Sequence, residues 1–390
     1  MVELKKQIKN GQKIIAIYGL GNVGGPIAAA WLRKDATVIG VDISKDLLLN
    51  IKNNSSHKKE PYISETFTKG LRKKKFSLTN NGVKASMLST IKFVAVPVDI
   101  KQNKINLTAL ISATTAISKG LKKGHTVVIC PSLPPGTTEK LVKQILEKHS
   151  KLKVEKDFNL IYNPERIFEG RALQDIEENY PAIVSGYGPK SLKFADELLK
   201  IISKKGTLQM TSLANAEAEK LFEGVYRDVN IALANELSEY CEQIGVNYWD
   251  ARKGANSQPY CHLHYPGTGV GGLCIPVYPK FVIESSKKIG KHVKLIEYSR
   301  KINDEKPKKC VKDALSLFKN NVKGIKVAVL GLGFRGEVTD SRLSPTYTVV
   351  NELLKKQCKV IVHDPYIFED NTLPRNVILT KNLSEAISEV

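Results

Sequence analysis

Long apolar runs are missing from this 390-residue chain. No stretch reaches the roughly 18 apolar residues that a membrane-spanning helix needs, so no transmembrane segment is expected. The opening "MVELKKQIKNGQK" is charged and polar and lacks the apolar core of a secretory leader, which points to a cytoplasmic protein. Paired cysteines are missing too. Cys130, Cys241, Cys261, Cys274, Cys310 and Cys358 are scattered without a C-x-x-C, so free thiols in a reducing compartment are expected. Acid is scarce: 39 Asp and Glu against 60 Lys and Arg give a formal charge of +21. Such a field suits nucleic acid or a small anionic substrate. The lysines are spread, however, and the densest runs ("HKKEP", "LRKKKF", "EKPKKC") are short. There is no basic helix with interleaved aromatics, so no nucleic-acid partner is expected and a lysine-rich solvated surface is the plainer reading. Metal ligands lack a second half. Cys261, His262 and His264 crowd "YCHLHYP", but no partner C-x-x-C or H-x-x-x-H accompanies them, and no metal is expected.

What is present begins with 42% hydrophobic residues, enough for proper cores, in a chain too long for one; two or three domains are expected. "KIIAIYGLGNVGGPIAAAWLRKDATVIGVD" reads as strand, glycine turn, helix, strand and acid. Gly19, Gly21 and Gly24 form G-x-G-x-x-G, and Asp42 follows at close to the ~20-residue spacing of a dinucleotide fold. The glycines permit a tight turn and close approach of a pyrophosphate, whose charge the helix N-terminus favours. Asp42 can accept hydrogen bonds from ribose hydroxyls and would repel a 2′-phosphate, so NAD is expected over NADP. The competing reading is a glycine turn in some other α/β fold. Further strands are expected within residues 91–98, 125–132 and 157–170 and in "YPAIVSGYG". Residues 52–86 read as helix and loop, and a helix after "PPGTT" as capped near Thr137 or Thr138. These make residues 1–205 a doubly wound α/β domain.

Apolar residues from Leu221 to Leu237 recur at helical spacing, predicting a helix of about 30 residues in 212–246. Helices that long usually lie between domains or at a dimer interface. Helical stretches continue to about 308, enclosing "PGTGVGGLCIPVYPKF", in which glycines crowd before Cys274. From 309 the opening theme returns. Gly331, Gly333 and Gly336 repeat G-x-G-x-x-G, but Asp364 comes ten residues later than its counterpart, and a helix more plausibly starts at Ser344-Pro345. A Rossmann-like nucleotide domain without a second dinucleotide site is therefore expected. Arg335 and Arg342 fall in the extra loop, where they could meet phosphates or be ordinary surface arginines. A helix at "NLSEAISEV" should feed another strand, so this last domain is expected to be short by at least a strand and a helix.

This combination resembles the UDP-glucose/GDP-mannose dehydrogenase family of nucleotide-sugar 6-dehydrogenases, over nearly the whole chain. "PGTGVGGLCIPV" and "YRDVNIALANEL" are most similar to the branch acting on UDP-N-acetylmannosamine or UDP-N-acetylglucosamine. The resemblance implies an α/β protein of two Rossmann-like domains with parallel sheets, joined by a central long-helix domain (206–308). It implies a homodimer through that helix and oxidation of a UDP-sugar C6 alcohol to a carboxylate with NAD. Two hydride transfers are needed, and a thiolate holds the aldehyde between them as a thiohemiacetal and then a thioester. Cys274 is the implied nucleophile, Lys220 the oxyanion-stabilising cation, Glu165 the acid linked to thioester hydrolysis and Ser132 the hydroxyl near water. Arg227, Asn230, Arg335, Gly271 and Gly272 are the implied sugar-nucleotide contacts, with Arg342 toward the cofactor. Alone, each would read as a solvated or loop residue.

The chain also departs from that pattern. Gly224 stands where an asparagine is usual, one turn after Lys220, and Tyr278 where an aspartate is usual, four residues after Cys274. Leu273 replaces a histidine, Tyr260 an arginine, and Val96-Pro97-Val98-Asp99 a V-P-T-P. Gly224 also costs its helix about 1 kcal/mol relative to alanine, and a phenol is a poor base at neutral pH. A working UDP-N-acetylhexosamine enzyme is the leading expectation. UDP-glucose oxidation, or a catalytically impaired protein that binds NAD and a nucleotide sugar, are the alternatives.

Overall fold

A computed structural model describes residues 1–57, 60–101, 104–318 and 322–388. Two compact units are present, Met1–Leu221 and Phe222–Val390. In the first, strands β1 (Ile15–Tyr18), β2 (Val38–Val41), β3 (Phe76–Thr79) and β4 (Ile91–Val94) precede a short hairpin of β5 (Asp99–Lys101) and β6 (Lys104–Asn106). Then follow β7 (Thr126–Ile129), β8 (Asn159–Tyr162), β9 (Ala182–Gly186) and β10 (Thr207–Gln209). All but the hairpin join one eight-stranded sheet in the order β10-β9-β8-β7-β4-β1-β2-β3.

The central strands β1, β2, β4 and β7 are buried at all four of their residues, which is why, Lys92 of β4 and Thr126 of β7 aside, they read as apolar runs: helices cover both faces. On one face Trp31 of the helix Gly24–Arg33 meets Phe93 of β4 with ring centroids 5.9 Å apart. Every pairing in the sheet is parallel except β8 with β9, so the sheet is mostly parallel, as the doubly wound fold implies. β10 pairs with β9 past residue 205. Residues 52–86 hold a strand, β3, beside their helices. It is an edge strand that fully buries only Phe76 and sits among lysines, so its sequence carries little apolar signal. The expected strand at 91–98 is shorter, and the hairpin follows it.

The helix Leu213–Gln243 runs 31 residues, through Leu221 in the first unit and from Phe222 in the second. In the second unit the helix Lys294–Ser316 passes through residue 308. Strands β11 (Lys326–Leu330), β12 (Lys359–His363) and β13 (Ile378–Thr380) form a parallel sheet in that order. The helix Pro345–Lys355 starts where expected, with Ser344 Oγ accepting from the Thr346 N–H. Among the described residues no helix is long and apolar enough to cross a membrane.

Candidate active site

The first glycine turn follows β1, at the carboxyl edge of the sheet, where the strand order reverses between β1 and β4; open α/β sheets bind ligands at such points. Its three glycines have three different reasons to be glycine. Gly19 has φ +88°, and a Cβ there would lie 2.7 Å from the Ala95 carbonyl oxygen. At Gly24 a Cβ would lie 1.8 Å from the Gly19 carbonyl oxygen, so only glycine lets the helix start this close to the strand. Gly21 faces open space: a Cβ there would meet nothing within 4 Å. That is the cradle a dinucleotide pyrophosphate requires: backbone that a ligand can touch at the N-terminus of the helix Gly24–Arg33. Asp42 ends β2. Its Oδ2 accepts from the Leu20 N–H at 2.8 Å and its Oδ1 from the Ser44 N–H at 2.9 Å, so the carboxylate is braced beside the turn while remaining half-exposed. The residues present fit NAD.

The second motif differs in the way its spacing suggested. Asp364 is buried, and its carboxylate accepts from the backbone N–H groups of Leu332, Gly333, Tyr366 and Ile367, at 2.8 to 3.0 Å. These four bonds fill its acceptor capacity, so this acid braces a turn and does not present itself to a ribose. Arg342 forms a two-pronged ion pair with Asp340 of its own loop. Arg335 is half-buried in the same loop.

Glu165 lies in the loop after β8, half-buried. Burial pushes its carboxyl up to about 7, against the Arg166 N–H that Oε1 accepts from at 2.8 Å and the charges of Lys220 and Arg166; Asp175 adds to the rise. Lys220 is buried on the long helix, in electrostatic reach of Glu165 within the first unit. Ser132 is half-buried in the loop after β7. One turn before Lys220, Glu217 is buried and its two oxygens accept from the N–H groups of Gly136 and Thr138. The helix after "PPGTT" starts where expected, with Thr137 at its N-cap, but the Thr137 side chain makes no cap bond and Glu217 accepts from the backbone there instead. Nothing local in the sequence signals this brace, because its halves are some 80 residues apart. Burial holds the Glu217 carboxyl at about 7 in spite of the two bonds.

In the second unit Cys274 is exposed at the end of the glycine loop. The loop is anchored by backbone. The Gly267 N–H donates to Asn235 Oδ1 of the long helix at 2.9 Å, and the Gly272 N–H to the Arg342 carbonyl at 3.1 Å. A Cβ at Gly271 would lie 2.7 Å from Phe334 Cβ, and one at Gly272 2.9 Å from the Phe334 ring, so these glycines let the loop sit flat on the loop of the second motif. Asn235 itself bonds Asn303, which together with Arg300 closes on the buried Asp228 carboxylate. Asn235 went unsuspected in the sequence; its signal was only its place in "ALANEL". Arg227 is exposed on the long helix, and Asn230 donates to the Tyr226 carbonyl at 2.7 Å, so its amide is tied to its own helix.

Two departures meet in space. Gly224 is buried, and a Cβ there would lie 2.4 Å from Cδ2 of Tyr278. Tyr260 is exposed, and Leu273 partly so. Among the described residues no group of three or more His, Cys, Asp or Glu is placed to hold a metal ion.

Comparison with known proteins agrees with this layout. Models of the UDP-glucose/GDP-mannose dehydrogenase family match residues 13–203 (NAD binding domain), 214–305 (central domain) and 328–390 (UDP binding domain). A UDP-N-acetyl-D-mannosamine dehydrogenase of Methanococcus vannielii is 33% identical over 365 residues, 93% of this chain and 82% of that protein. The solved UDP-D-ManNAc dehydrogenase of Pyrococcus horikoshii superposes with a TM-score of 0.87 at 30% identity, covering 96% of this chain and 86% of that one. An NDP-N-acetyl-D-galactosaminuronic acid dehydrogenase from Methanosarcina mazei Go1 gives 0.82 at 31% identity, over 99% and 86%.

Proposed function

Because the chain belongs to the UDP-glucose/GDP-mannose dehydrogenase family and is an NAD-dependent nucleotide-sugar dehydrogenase, we propose that it oxidises the C6 alcohol of UDP-N-acetyl-D-mannosamine to the carboxylate. The choice of sugar rests on the relatives' names. The chemistry rests on one observation above others: an exposed thiol, Cys274, ending a glycine loop that backbone bonds at Gly267 and Gly272 hold in place.

NAD would supply the oxidising power: two molecules bound in turn would each take one hydride from C6. The first transfer leaves an aldehyde. The Cys274 thiolate adds to its carbon, and the oxygen takes up a proton, giving a thiohemiacetal. Loss of the second hydride and of the hydroxyl proton leaves a thioester, and water cleaves the C–S bond to release the acid and regenerate the thiol. Lys220, a buried cation, is suited to stabilise negative charge on oxygen. Glu165, with a carboxyl near neutrality in its pKa, is suited to take the proton from the attacking water. Ser132 is assigned the hydroxyl that would hold that water. Gly19, Gly21, Gly24 and Asp42 hold NAD in this reading, with Arg342 toward the cofactor. Arg335, Gly271, Gly272, Arg227 and Asn230 serve the sugar nucleotide. The work is divided among residues 1–205, 206–308 and 309–390.

A homodimer is part of the proposal. Phe222, Tyr226, Leu233 and Tyr240 recur on the long helix at steps of four and seven and are 42–60% exposed, an apolar stripe of the kind that helices bury against a copy of themselves. Leu233→Glu is expected to yield monomers in sedimentation; an unaltered mass would remove this part.

The test of function is a count. Protein is mixed with NAD and, in turn, UDP-N-acetylmannosamine, UDP-N-acetylglucosamine and UDP-glucose, and NADH is measured per sugar consumed. Two NADH with the first sugar is the expected result. Two with UDP-glucose alone would overturn the assignment of sugar. A second reading, binding without efficient turnover, is favoured by the uncharged Tyr278 four residues after the thiol. It predicts thermal stabilisation by both ligands without NADH.

A further inference from the structure

The helix Leu213–Gln243 contains one glycine, Gly224, far from either end. Glycine there weakens the helix by about 1 kcal/mol relative to alanine, so its presence asks for a local reason. Flexibility is not one, since Gly224 is buried and lies within unbroken helix. The reason is volume. A Cβ on Gly224 would fall 2.4 Å from Cδ2 of Tyr278 and 3.1 Å from its Cβ and Cγ. The phenol ring occupies the place of the missing side chain.

Tyr278 is 8% exposed and begins the helix Tyr278–Lys288. Its backbone N–H donates to the Cys274 carbonyl at 2.9 Å, and the Val277 N–H donates to the same oxygen at 3.1 Å. The turn that carries the thiol is therefore tied directly to the residue whose ring fills the notch. The loop's other two anchors are the Gly267 N–H, bonded to Asn235 of the long helix, and, two residues before Cys274, the Gly272 N–H, bonded to the Arg342 carbonyl.

We propose that Gly224 and Tyr278 form a notch-and-ring pair that sets the position of the turn bearing Cys274, and that Tyr278 is a positioning residue acting through its ring. The pair explains in one stroke two departures that looked like independent losses. A Cβ at 224 would overlap the ring at 278 as it stands, so a side chain at 224 requires the ring to move or to be replaced. The inference rests on Cys274 being the nucleophile, but its first readout does not.

That readout is the rate of Cys274 alkylation by iodoacetamide in the full-length protein, followed by peptide mass spectrometry without any sugar. Gly224→Ala forces the ring out, and Tyr278→Ala empties the notch. Each is expected to change the rate by more than about fivefold, the coupling that contacting residues show. The double variant G224A/Y278A is expected to match Y278A alone, because the added methyl then has room. Tyr278→Phe keeps the ring and should restore the rate of the unaltered protein. If G224A does not fold, Y278A and Y278F still decide the matter: equal effects of the two would assign the role to the hydroxyl and overturn the proposal. Multiplicative effects of G224A and Y278A, or no effect of G224A, would overturn it too. The second readout is turnover with the sugar that yields NADH. Displacement of the thiol by about 1 Å lowers kcat by up to roughly 100-fold, while KM for NAD stays unchanged. An unaltered protein that never makes NADH would refute the functional reading and leave the alkylation result standing.

Discussion

Replacing Glu165 by glutamine separates its two effects, on catalysis and on stability, because they run in opposite directions. Burial raises the carboxyl to about 7, more than the Arg166 N–H and the charges of Lys220 and Arg166 lower it. As the base of thioester hydrolysis it works when ionised: about half of the molecules at pH 7 and about one-tenth at pH 6. The hydrolytic step should therefore fall about tenfold per pH unit below the mid-point and level off above pH 8. Glu165→Gln should lower kcat by roughly 100-fold or more, abolish this limb, and leave two NADH formed rapidly per site as the thioester accumulates. Lys220→Met removes a charge that favours the ionised form, so the limb should move to higher pH. Stability behaves differently. An acid whose pKa is raised by folding holds its proton in the native state between its ordinary value and about 7, while the unfolded chain has lost it. Stability from this group thus falls as pH rises through that window, and the glutamine variant should melt higher than the unaltered protein at pH 8. Stopped-flow NADH measurements from pH 5.5 to 9, with melts at each pH, provide the assay. A glutamine variant that keeps the acid limb, or turns over at the original rate, would refute the assignment of Glu165 as base.

Cys274→Ser is expected to end turnover while NAD still binds, as read by calorimetry; undiminished activity would remove the nucleophile. Gly24→Ala and Gly21→Ala should part company. The first places a methyl against the Gly19 carbonyl and should destabilise the fold by about 1–3 kcal/mol, whereas the second meets no protein atom and should weaken NAD binding with little change in melting temperature. Glu217→Ala leaves the N–H groups of Gly136 and Thr138 without their buried acceptor and should cost roughly 1–3 kcal/mol in denaturant unfolding. Lys92 of β4 is fully buried against His125 and the Ser89 carbonyl, and burial first, then the charge of Lys122, lowers its ammonium to about 6. The unfolded chain keeps that proton up to the ordinary lysine value, so stability should rise with pH from about 6 toward 10. Lys92→Met should flatten the slope and stabilise the protein at pH 7 by roughly 2–4 kcal/mol; an unchanged slope would count against this.

Features specified by neighbouring residues were legible in the sequence. The first glycine motif with its flanking strands, Asp42, the 31-residue helix and the cysteine loop each depend on short-range pattern: apolar periodicity, backbone freedom at glycine, and fixed spacing from turn to acid. The extra residues between Gly331 and Asp364 correctly set the second motif apart. The acid is taken up by four backbone N–H groups of its own unit.

Features made by residues distant in the chain were not. The β3 edge strand fully buries only one of its residues, and its place was set by β2 beside it, not by its own pattern. The antiparallel step between β8 and β9 follows from how the chain returns to the sheet, which strand composition does not encode. Glu217 is a helix glutamate in sequence and a loop cap only once Gly136 is folded against it. Gly224 and Tyr278, 54 residues apart, read singly as two lost side chains. Their meaning as one packed pair arises from excluded volume, which acts between atoms that touch, and only the tertiary structure decides which atoms those are.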